Sequence, residues 1–332
     1  MNYALFSGYA TGVVASLIFL WLAGDRVVRY AVELAMALQV TKFFIGFIVL
    51  AIAAGIPELA VAVAAAFTGA SQISAGDIIG ANFSDIALVS GLIFVLAGRI
   101  ALRHADRMKL IQMLAVTGSV IAVVFVLGSV GKVFGFLLII FYAIALYVIR
   151  HKKKKHDIWQ DEVQAITHDI TTTKDVVLTS RFGLITKLFF SVVGVLGCSW
   201  LVVHCAVALS VLFEAQLETI GATICALGTS LPELAMGLTA LKRKEYEIAL
   251  APTLGSVLEH STLVLGVLGM CSRYPVSFAT LHGAGIFMFI GFVLMIFFLW
   301  LARPLARWQG GILLALYVVY LAYELGWFSL IL

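Results

Sequence analysis

Apolar runs long enough to cross a lipid bilayer follow one another along almost the whole of this 332-residue chain. A helical span needs about twenty apolar residues, because each residue advances a helix by about 1.5 Å. Hydrophobic residues make up 62% of the chain and the mean hydropathy is +1.08, which excludes an ordinary soluble domain. The pattern predicts an all-α integral membrane protein with ten spans, near residues 4–24, 43–67, 73–98, 109–128, 133–150, 183–212, 219–241, 246–270, 282–302 and 308–331. The first run lacks a basic start and a clear cleavage site, so we expect a span there and not a signal peptide.

A single sequence offset relates the two halves of the chain. Pro57-Glu58-Leu59-Ala60 recurs as Pro232-Glu233-Leu234-Ala235, an offset of 175 residues (232 − 57). The same offset, without gaps, pairs further identical residues: Ile45-Gly46 with Ile220-Gly221, Ile73 with Ile248, Gly80 with Gly255, Leu88-Val89 with Leu263-Val264, and Gly91 with Gly266. Five spans per half is an odd number, so the second half must enter the membrane from the opposite side. The sequence therefore predicts two inverted five-helix repeats, residues 1–150 and 183–332, joined by a linker at 151–182.

The basic residues predict how the chain is oriented in the membrane. All but two of the 22 Lys and Arg residues, Lys132 and Arg273, fall in or beside loops that would share one side. The positive-inside rule makes that side cytoplasmic, which places both termini outside and the 151–182 linker in the cytoplasm. We expect an inner or plasma membrane location. The net charge of +4 reflects these anchors and gives no reason to expect a nucleic-acid partner.

A short polar stretch, Gly228-Thr229-Ser230-Leu231-Pro232-Glu233, interrupts an otherwise apolar segment. Pro232 has no N–H and clashes with the preceding turn, so it breaks or kinks the helix at mid-membrane. We expect the freed carbonyls and the hydroxyls of Thr229 and Ser230 to face inward as oxygen ligands. An unpaired Glu233 would cost about 3 kcal/mol at the bilayer centre, and this combination suits a hard cation. The alternative is a kinked helix with a protonated, hydrogen-bonded Glu233.

The third and eighth spans carry polar residues in their first halves. At the 175-residue offset, Asp85 corresponds to His260 and Ala81 corresponds to Ser256. The members of each span lie four residues apart, so Ala81 and Asp85 share one helix face, as do Ser256 and His260.

Other polar residues in these segments are expected to lie outside that site. Asn82 and Glu259 are turned away from the two faces, and Asp77 near the start of its span is expected at the surface. Four cysteines without paired-ligand spacing predict neither a disulfide framework nor a metal site. No pairing of a nucleophile with a base is visible, so an enzyme is not expected.

These motifs strongly resemble the alpha repeats of the calcium/cation antiporter superfamily, and those of sodium/calcium exchangers in particular. The resemblance covers the ten-span plan, with its motifs confined to residues 45–95 and 220–270. It implies four central ion-binding residues, Glu58, Asp85, Glu233 and His260. It further implies hydroxyl and carbonyl ligands from Thr229, Ser230, Ser256 and the Ala226 backbone.

The chain departs from the family pattern at several of these positions. Ala54-Gly55 stand where the family has a Thr–Ser pair, Ala81 replaces a serine, and His260 replaces an Asn or Asp. Neutral imidazole is a poor ligand for Ca²⁺ and a good one for transition metals. It also titrates near neutral pH, which would couple proton release to cation binding. Alternatively, a protonated His260 pairs with Asp85 or Glu233 as a built-in cation.

The resemblance implies a secondary antiporter that exchanges a divalent cation, with Ca²⁺ the first candidate, for Na⁺ or H⁺. No resident cofactor is implied, and the expected partners are inorganic cations and the lipid bilayer. The alternative is a non-transporting membrane sensor or assembly subunit that retains the exchanger fold. The retained Glu58 and Glu233 favour transport, whereas the lost hydroxyls and His260 favour the alternative.

Overall fold

The computed structural model describes residues 3–37, 55–102, 104–151, 181–242, 246–301 and 304–326, and these residues are helical almost throughout. The α-helices are α1 (Tyr3–Ala37), α2 (Ile56–Thr68), α3 (Ser71–Phe83), α4 (Ser90–Ala97), α5 (His104–Leu127), α6 (Lys132–His151), α7 (Arg181–Phe213), α8 (Leu217–Ile220), α9 (Ala226–Thr229), α10 (Leu231–Lys242), α11 (Tyr246–Glu259), α12 (Leu265–Cys271), α13 (His282–Leu301) and α14 (Arg307–Glu324). Three π-helical segments continue α-helices without a turn: π1 (Ser84–Val89), π2 (Gly221–Cys225) and π3 (His260–Val264). A 3₁₀ turn (Ala279–Leu281) precedes α13, and two antiparallel strand pairs join β1 (Arg99–Ile100) to β4 (Leu305–Ala306) and β2 (Ser129–Val130) to β3 (Val276–Ser277).

Seven segments of the described chain are long and apolar enough to cross a membrane: Phe6–Val27, Ser71–Ala97, Asp106–Leu127, Phe182–Phe213, Leu217–Leu238, Thr253–Cys271 and Ala279–Leu301. Two shorter apolar helices, Ile56–Thr68 and Lys132–Val148, accompany them. The protein is therefore a multi-pass integral membrane protein. The count of ten spans stays a prediction, because the predicted span at 43–67 is described only from residue 55. Residues 152–180 of the predicted linker also lie outside the described residues.

The 175-residue offset found in the sequence returns in the positions of the helices. Helices α2 and α10 begin 175 residues apart (231 − 56), and so do α3 and α11 (246 − 71). Segments π1 and π3 begin 176 residues apart (260 − 84). The backbone of the two halves is thus repeated where the sequence is repeated.

Close contacts between helices are exchanged between the halves. A Cβ added to Gly91 of α4 would lie 3.2 Å from the carbonyl oxygen of Gly310 in α14. A Cβ added to Gly135 of α6 would lie 2.6 Å from the carbonyl oxygen of Gly266 in α12. Each contact is the counterpart of the other with the halves interchanged, because 91 and 266, and likewise 135 and 310, differ by 175. This exchange is what two-fold related repeats produce; that the repeats are inverted in the membrane stays a prediction.

The helices form an inner and an outer group. The segments Ser71–Ala97 and Thr253–Cys271 are 83% and 72% buried, whereas Phe6–Val27 and Asp106–Leu127 are each 28% buried. The inner segments carry most of the buried polar residues, and α1 and α7 pack against each other on the outside. The polar residues therefore lie within the protein and are screened from lipid, as a bilayer requires.

Helix α3 crosses the π2 segment of the other half with almost no space between the backbones. A Cβ on Gly80 would lie 2.7 Å from the Cα of Ala222, and a Cβ on Gly221 would lie 2.9 Å from the backbone nitrogen of Asp77. Because real Cβ contacts are not that short, only glycine fits at these positions. The crossing brings the broken helix of the second half against the inner helix of the first.

Candidate cation site

Three buried side chains from the two halves meet between the inner helices. One ligand atom each from Glu58, Glu233 and His260 can be chosen so that all lie within 4.8 Å of one another. Their exposed fractions are 1%, 1% and 0%. Ligand atoms that bind one ion at about 2.0–2.5 Å are at most about 5 Å apart, so this group is compact enough to hold a single cation.

Prolines set the positions of the two glutamates. Pro57 and Pro232 lie at the start of α2 and α10, where the missing N–H of proline leaves no helical hydrogen bond unmade. Glu58 and Glu233 follow in the first turn of each helix, where the positive end of the helix dipole favours a carboxylate. The predicted break of the second helix is confirmed at Ser230, between α9 and α10.

The break leaves fewer free carbonyl groups than the sequence suggests. The Ala226 carbonyl oxygen accepts the Ser230 N–H at 3.1 Å and the Thr229 hydroxyl at 3.4 Å. The Ser230 carbonyl oxygen accepts the Leu234 N–H at 3.1 Å. The side-chain oxygens near the break are therefore better placed to bind an ion than the Ala226 carbonyl.

His260 lies between the two carboxylates of the first half. Its Nε2 is 3.8 Å from a Glu58 oxygen and its Nδ1 is 3.9 Å from an Asp85 oxygen. Both distances exceed hydrogen-bond length, and within the described residues neither ring nitrogen has a hydrogen-bond partner. The resemblance-based set of Glu58, Asp85, Glu233 and His260 is thus brought together, with the imidazole at its centre.

The predicted hydroxyl residues lie beside these charges. The Ser256 hydroxyl donates to a Glu233 carboxylate oxygen at 3.2 Å, and the Ser230 hydroxyl faces Asp85. The Thr229 hydroxyl donates instead to Asp77 at 3.0 Å. Two of the three predicted hydroxyls therefore contact the central carboxylates directly, and the third contacts a carboxylate that was not predicted.

A π-helical segment begins at each of the two inner helices where its charged residue stands. Asp85 is the second residue of π1, and His260 is the first residue of π3. A π-helical turn widens the backbone and is common at functional sites in proteins. The Ser90 hydroxyl donates to the Asp85 carbonyl oxygen at 2.9 Å, which gives one widened carbonyl a partner.

The expectation that Asp77 lies at the surface is wrong. Its side chain is 0% exposed and accepts the hydroxyl of Thr229 from the opposite half. Distance along the sequence from the centre of a span misled, because α3 is enclosed by other helices over its whole length. The carboxylate is tolerated there because α3 crosses π2 and α9, which supply the donor.

The expectation that Asn82 and Glu259 are turned away from the interior is also wrong. Asn82 donates to the Ser261 hydroxyl at 2.9 Å and ties π3 to α3. Glu259 is 4% exposed and lies against Gly55, one turn before Glu58. Both helices are covered on every side, so a residue that leaves one buried face enters another.

Two tyrosines that the sequence did not single out support this region from α14. The Tyr317 hydroxyl lies 3.1 Å from that of Ser84, and the Tyr320 hydroxyl donates to the Ala222 carbonyl oxygen at 2.8 Å. Both rings also pack on Phe83. They fix the start of π1 and the middle of π2, next to the residues that carry charge.

Comparisons with known proteins agree with this geometry. The sequence model of the sodium/calcium exchanger protein family matches residues 8–150 and 184–326, which are the two halves without the linker. The sodium/calcium exchanger MaX1 of Methanosarcina acetivorans is 26% identical, over 93% of this chain and 96% of that protein. The putative antiporter CaxA of Alkalimonas amylolytica is 29% identical, over 77% of this chain and 78% of that protein.

Solved structures show the same fold. A structure of the sodium-calcium exchanger NCX_Mj superimposes with a TM-score of 0.58 at 24% identity, covering 96% of this chain and 98% of that one. The family and the fold are those of membrane transporters of inorganic cations and not of enzymes. With both halves matched and the paired motifs in place, the chain belongs to the sodium/calcium exchanger family.

Proposed function

We propose that this protein is a secondary antiporter that exchanges Ca²⁺, or another divalent cation, for Na⁺ or H⁺ across an inner or plasma membrane. The observation that carries the proposal is the meeting of Glu58, Glu233 and His260 in one buried group. The two glutamates stand at equivalent positions of the two halves, and a carboxylate from each half suits a hard divalent ion. The names of the related exchangers and of the antiporter support the same reaction class.

Exchange follows from the cost of leaving this group charged and unoccupied. Carboxylates inside a membrane protein are expensive unless a cation or a proton neutralises them. Glu58 and Glu233 bind either the divalent ion or the counter-ions, since both sets cannot share the same oxygens. Neutralisation by either set then permits the change between the two open sides, which makes transport an exchange.

Helix α1 provides a route by which that change reaches the site. A Cβ on Gly228 would lie 3.0 Å from side-chain carbons of Leu17 in α1, so α1 packs directly on the broken helix. Helices α1 and α7 pack along each other and expose much of their surface to lipid. We propose that this pair slides across the site and that its position depends on which ions are bound.

His260 gives this exchanger a group that takes part as a neutral ligand. The imidazole nitrogens lie 3.8 Å and 3.9 Å from Glu58 and Asp85, a spacing that a cation between them would close. A proton on the same nitrogen excludes the cation, so proton release accompanies cation binding. This favours H⁺ as one of the counter-ions.

Purified protein in sealed proteoliposomes tests the proposal. We expect Ca²⁺ uptake that requires an outward Na⁺ or H⁺ gradient, with the two gradients imposed separately. Glu58→Gln and Glu233→Gln should each abolish uptake in a folded protein. Glu218→Gln is the matched control, because Glu218 is 8% exposed and its Oε1 accepts the Thr280 hydroxyl at 2.7 Å, outside the central group.

The second candidate function is a non-transporting sensor or assembly subunit with the exchanger fold. The specific observation in its favour is the loss of the first Thr–Ser pair, at Ala54-Gly55. Ca²⁺ binding without gradient-driven uptake in wild-type proteoliposomes would support the sensor and refute the antiporter.

A further inference from the structure

Glu259 is a buried carboxylate that the expected ligand set leaves unused. It is the last residue of α11, directly before π3, and its side chain is 4% exposed. Within the described residues, its Oε1 has no hydrogen-bond partner. A lone unsatisfied carboxylate oxygen at membrane depth is costly, so its presence calls for a positive partner.

The carboxylate lies where the first half lacks its hydroxyl ligand. Gly55 corresponds to Ser230 at the 175-residue offset, and a Cβ on Gly55 would lie 2.7 Å from the Glu259 carboxyl carbon and closer still to Oε1. The Gly55 backbone also hydrogen-bonds to this carboxylate. Glycine at position 55 thus makes room for Glu259, and the carboxylate takes the place that a serine side chain would fill.

The position of Glu259 connects it with the central group. Glu58 follows Gly55 by three residues, so it lies one helical turn further along α2. Within the described residues, neither carboxylate oxygen of Glu58 has a hydrogen-bond partner. The next residue after Glu259 is His260, whose Nε2 lies 3.8 Å from Glu58. Two carboxylates with unpartnered oxygens therefore flank the first turn of α2.

We infer that Glu259 is a further cation ligand, which together with Glu58 binds a hard cation on the Gly55 side of the central group. The inference rests on the proposed function, because the bound ion is one of the exchanged cations. A carboxylate offers an anionic oxygen in place of the neutral hydroxyl oxygen that Ser230 offers in the second half. Anionic oxygens favour hard cations over the transition metals that an imidazole prefers.

Glu259→Gln tests this inference because glutamine has nearly the same shape and still accepts the Gly55 hydrogen bond. Only the charge is lost. We expect the Ca²⁺ or Na⁺ concentration for half-maximal binding to the purified protein to rise about 10- to 100-fold, as for loss of a charge-assisted interaction. The same rise should appear in proteoliposome uptake, with unchanged melting temperature. Glu218→Gln is again the control, and its affinities should equal those of the wild type.

A second pair of variants tests the exchange of places between Gly55 and Glu259. Gly55→Ser alone should impair cation binding, because the new side chain overlaps the Glu259 carboxylate. Gly55→Ser with Glu259→Ala removes the overlap and supplies a hydroxyl, so binding should recover relative to either single variant. Absence of recovery in a folded double variant would contradict the replacement.

The outcomes separate this inference from the proposed function. If wild-type protein exchanges Ca²⁺ and Glu259→Gln has wild-type affinity for Ca²⁺ and for Na⁺, Glu259 is structural and the inference is wrong. If wild-type protein binds cations but exchanges none, the antiporter proposal fails, while an affinity loss in Glu259→Gln still identifies the ligand. An affinity loss for one cation alone identifies which ion uses the Gly55 side.

Discussion

Replacing Gly80 with alanine tests whether the tight crossing of α3 and π2 holds the two halves of the site together. The added Cβ would lie 2.7 Å from the Cα and the carbonyl carbon of Ala222, and closer still to its carbonyl oxygen. Carbon atoms in contact prefer about 3.5–4.0 Å, so the two segments must separate by about 1 Å. Overpacking of this kind costs typically about 1–3 kcal/mol, which we expect as a loss in the free energy of unfolding.

The same displacement should reduce transport. The hydrogen bond from Thr229 to Asp77, at 3.0 Å, spans this crossing, as does that from Tyr320 to the Ala222 carbonyl oxygen, at 2.8 Å. A separation of about 1 Å takes the first beyond hydrogen-bond length and moves the broken helix relative to Asp85. Misplacing reacting groups by that distance can cost about 100-fold in an enzyme, and we expect a reduction of up to that size in exchange rate.

Thermal unfolding in detergent and Ca²⁺ uptake in proteoliposomes measure the two effects. Gly311→Ala on α14 is the matched control, because a Cβ there meets nothing within 4 Å. Gly76→Ala and Gly221→Ala crowd one crossing from its two sides, so the double variant should cost less than the sum of the single ones. A Gly80→Ala protein that melts and transports like Gly311→Ala would refute the reasoning.

Three further predictions concern the site and the topology. If a proton on His260 excludes the cation, an ordinary histidine pKa of about 6.5 predicts about tenfold weaker Ca²⁺ binding at pH 5.5 than at pH 7.5. His260→Asn should lose that dependence, and superimposable pH profiles would mean that His260 is structural. Ser256→Ala removes the donor to Glu233 and should raise the half-saturating Ca²⁺ concentration about tenfold, measured by uptake, while an unchanged value would place Ser256 outside the site. A cysteine at position 160, introduced as Gln160→Cys, should resist an impermeant thiol reagent in intact cells, and labelling before lysis would reverse the predicted topology.

The sequence predicted the parts of this fold that depend on local chemistry. Pro57 and Pro232 lie where helices must begin, because proline cannot donate the hydrogen bond that a helix interior needs. Glu58 and Glu233 were expected to meet because a gap-free offset relates them, and a repeated sequence folds into a repeated backbone. His260 was placed opposite Asp85 by the same offset, and the two side chains lie 3.9 Å apart.

The errors at Asp77, Asn82 and Glu259 have one physical cause. Assigning a helix residue to the inside or the outside by its angle assumes that the helix has one buried face. Segment Ser71–Ala97 is 83% buried, so most of its circumference contacts protein. The available signal was the cost of each polar side chain in an apolar span, which predicts a partner for every one of them.

Contacts between distant residues lay beyond sequence reasoning for another reason. The loss of the Thr–Ser pair at Ala54-Gly55 looks like a weakened site when only one repeat is compared with the other. The Glu259 carboxylate that fills the same space comes from the second half of the chain, and its α11 position corresponds to Ser84 in the first half. A repeat offset pairs equivalent residues, but it does not show which unequal residues face each other.

Charge balance explains why a site built in this way must exchange ions. Ligand oxygens of Glu58 and Glu233 lie within 4.8 Å, and two unit charges at that separation repel by about 3 kcal/mol at an effective dielectric constant of 20. Among the described residues, no Lys or Arg forms an ion pair with Glu58, Asp85 or Glu233, and the only basic side chain within 4.0 Å of them is that of His260. Neutralisation must therefore come from bound cations or protons. Because the charged, unoccupied group is unfavourable in the membrane, a step that carries it across without ions is slow, and one set of ions must replace the other.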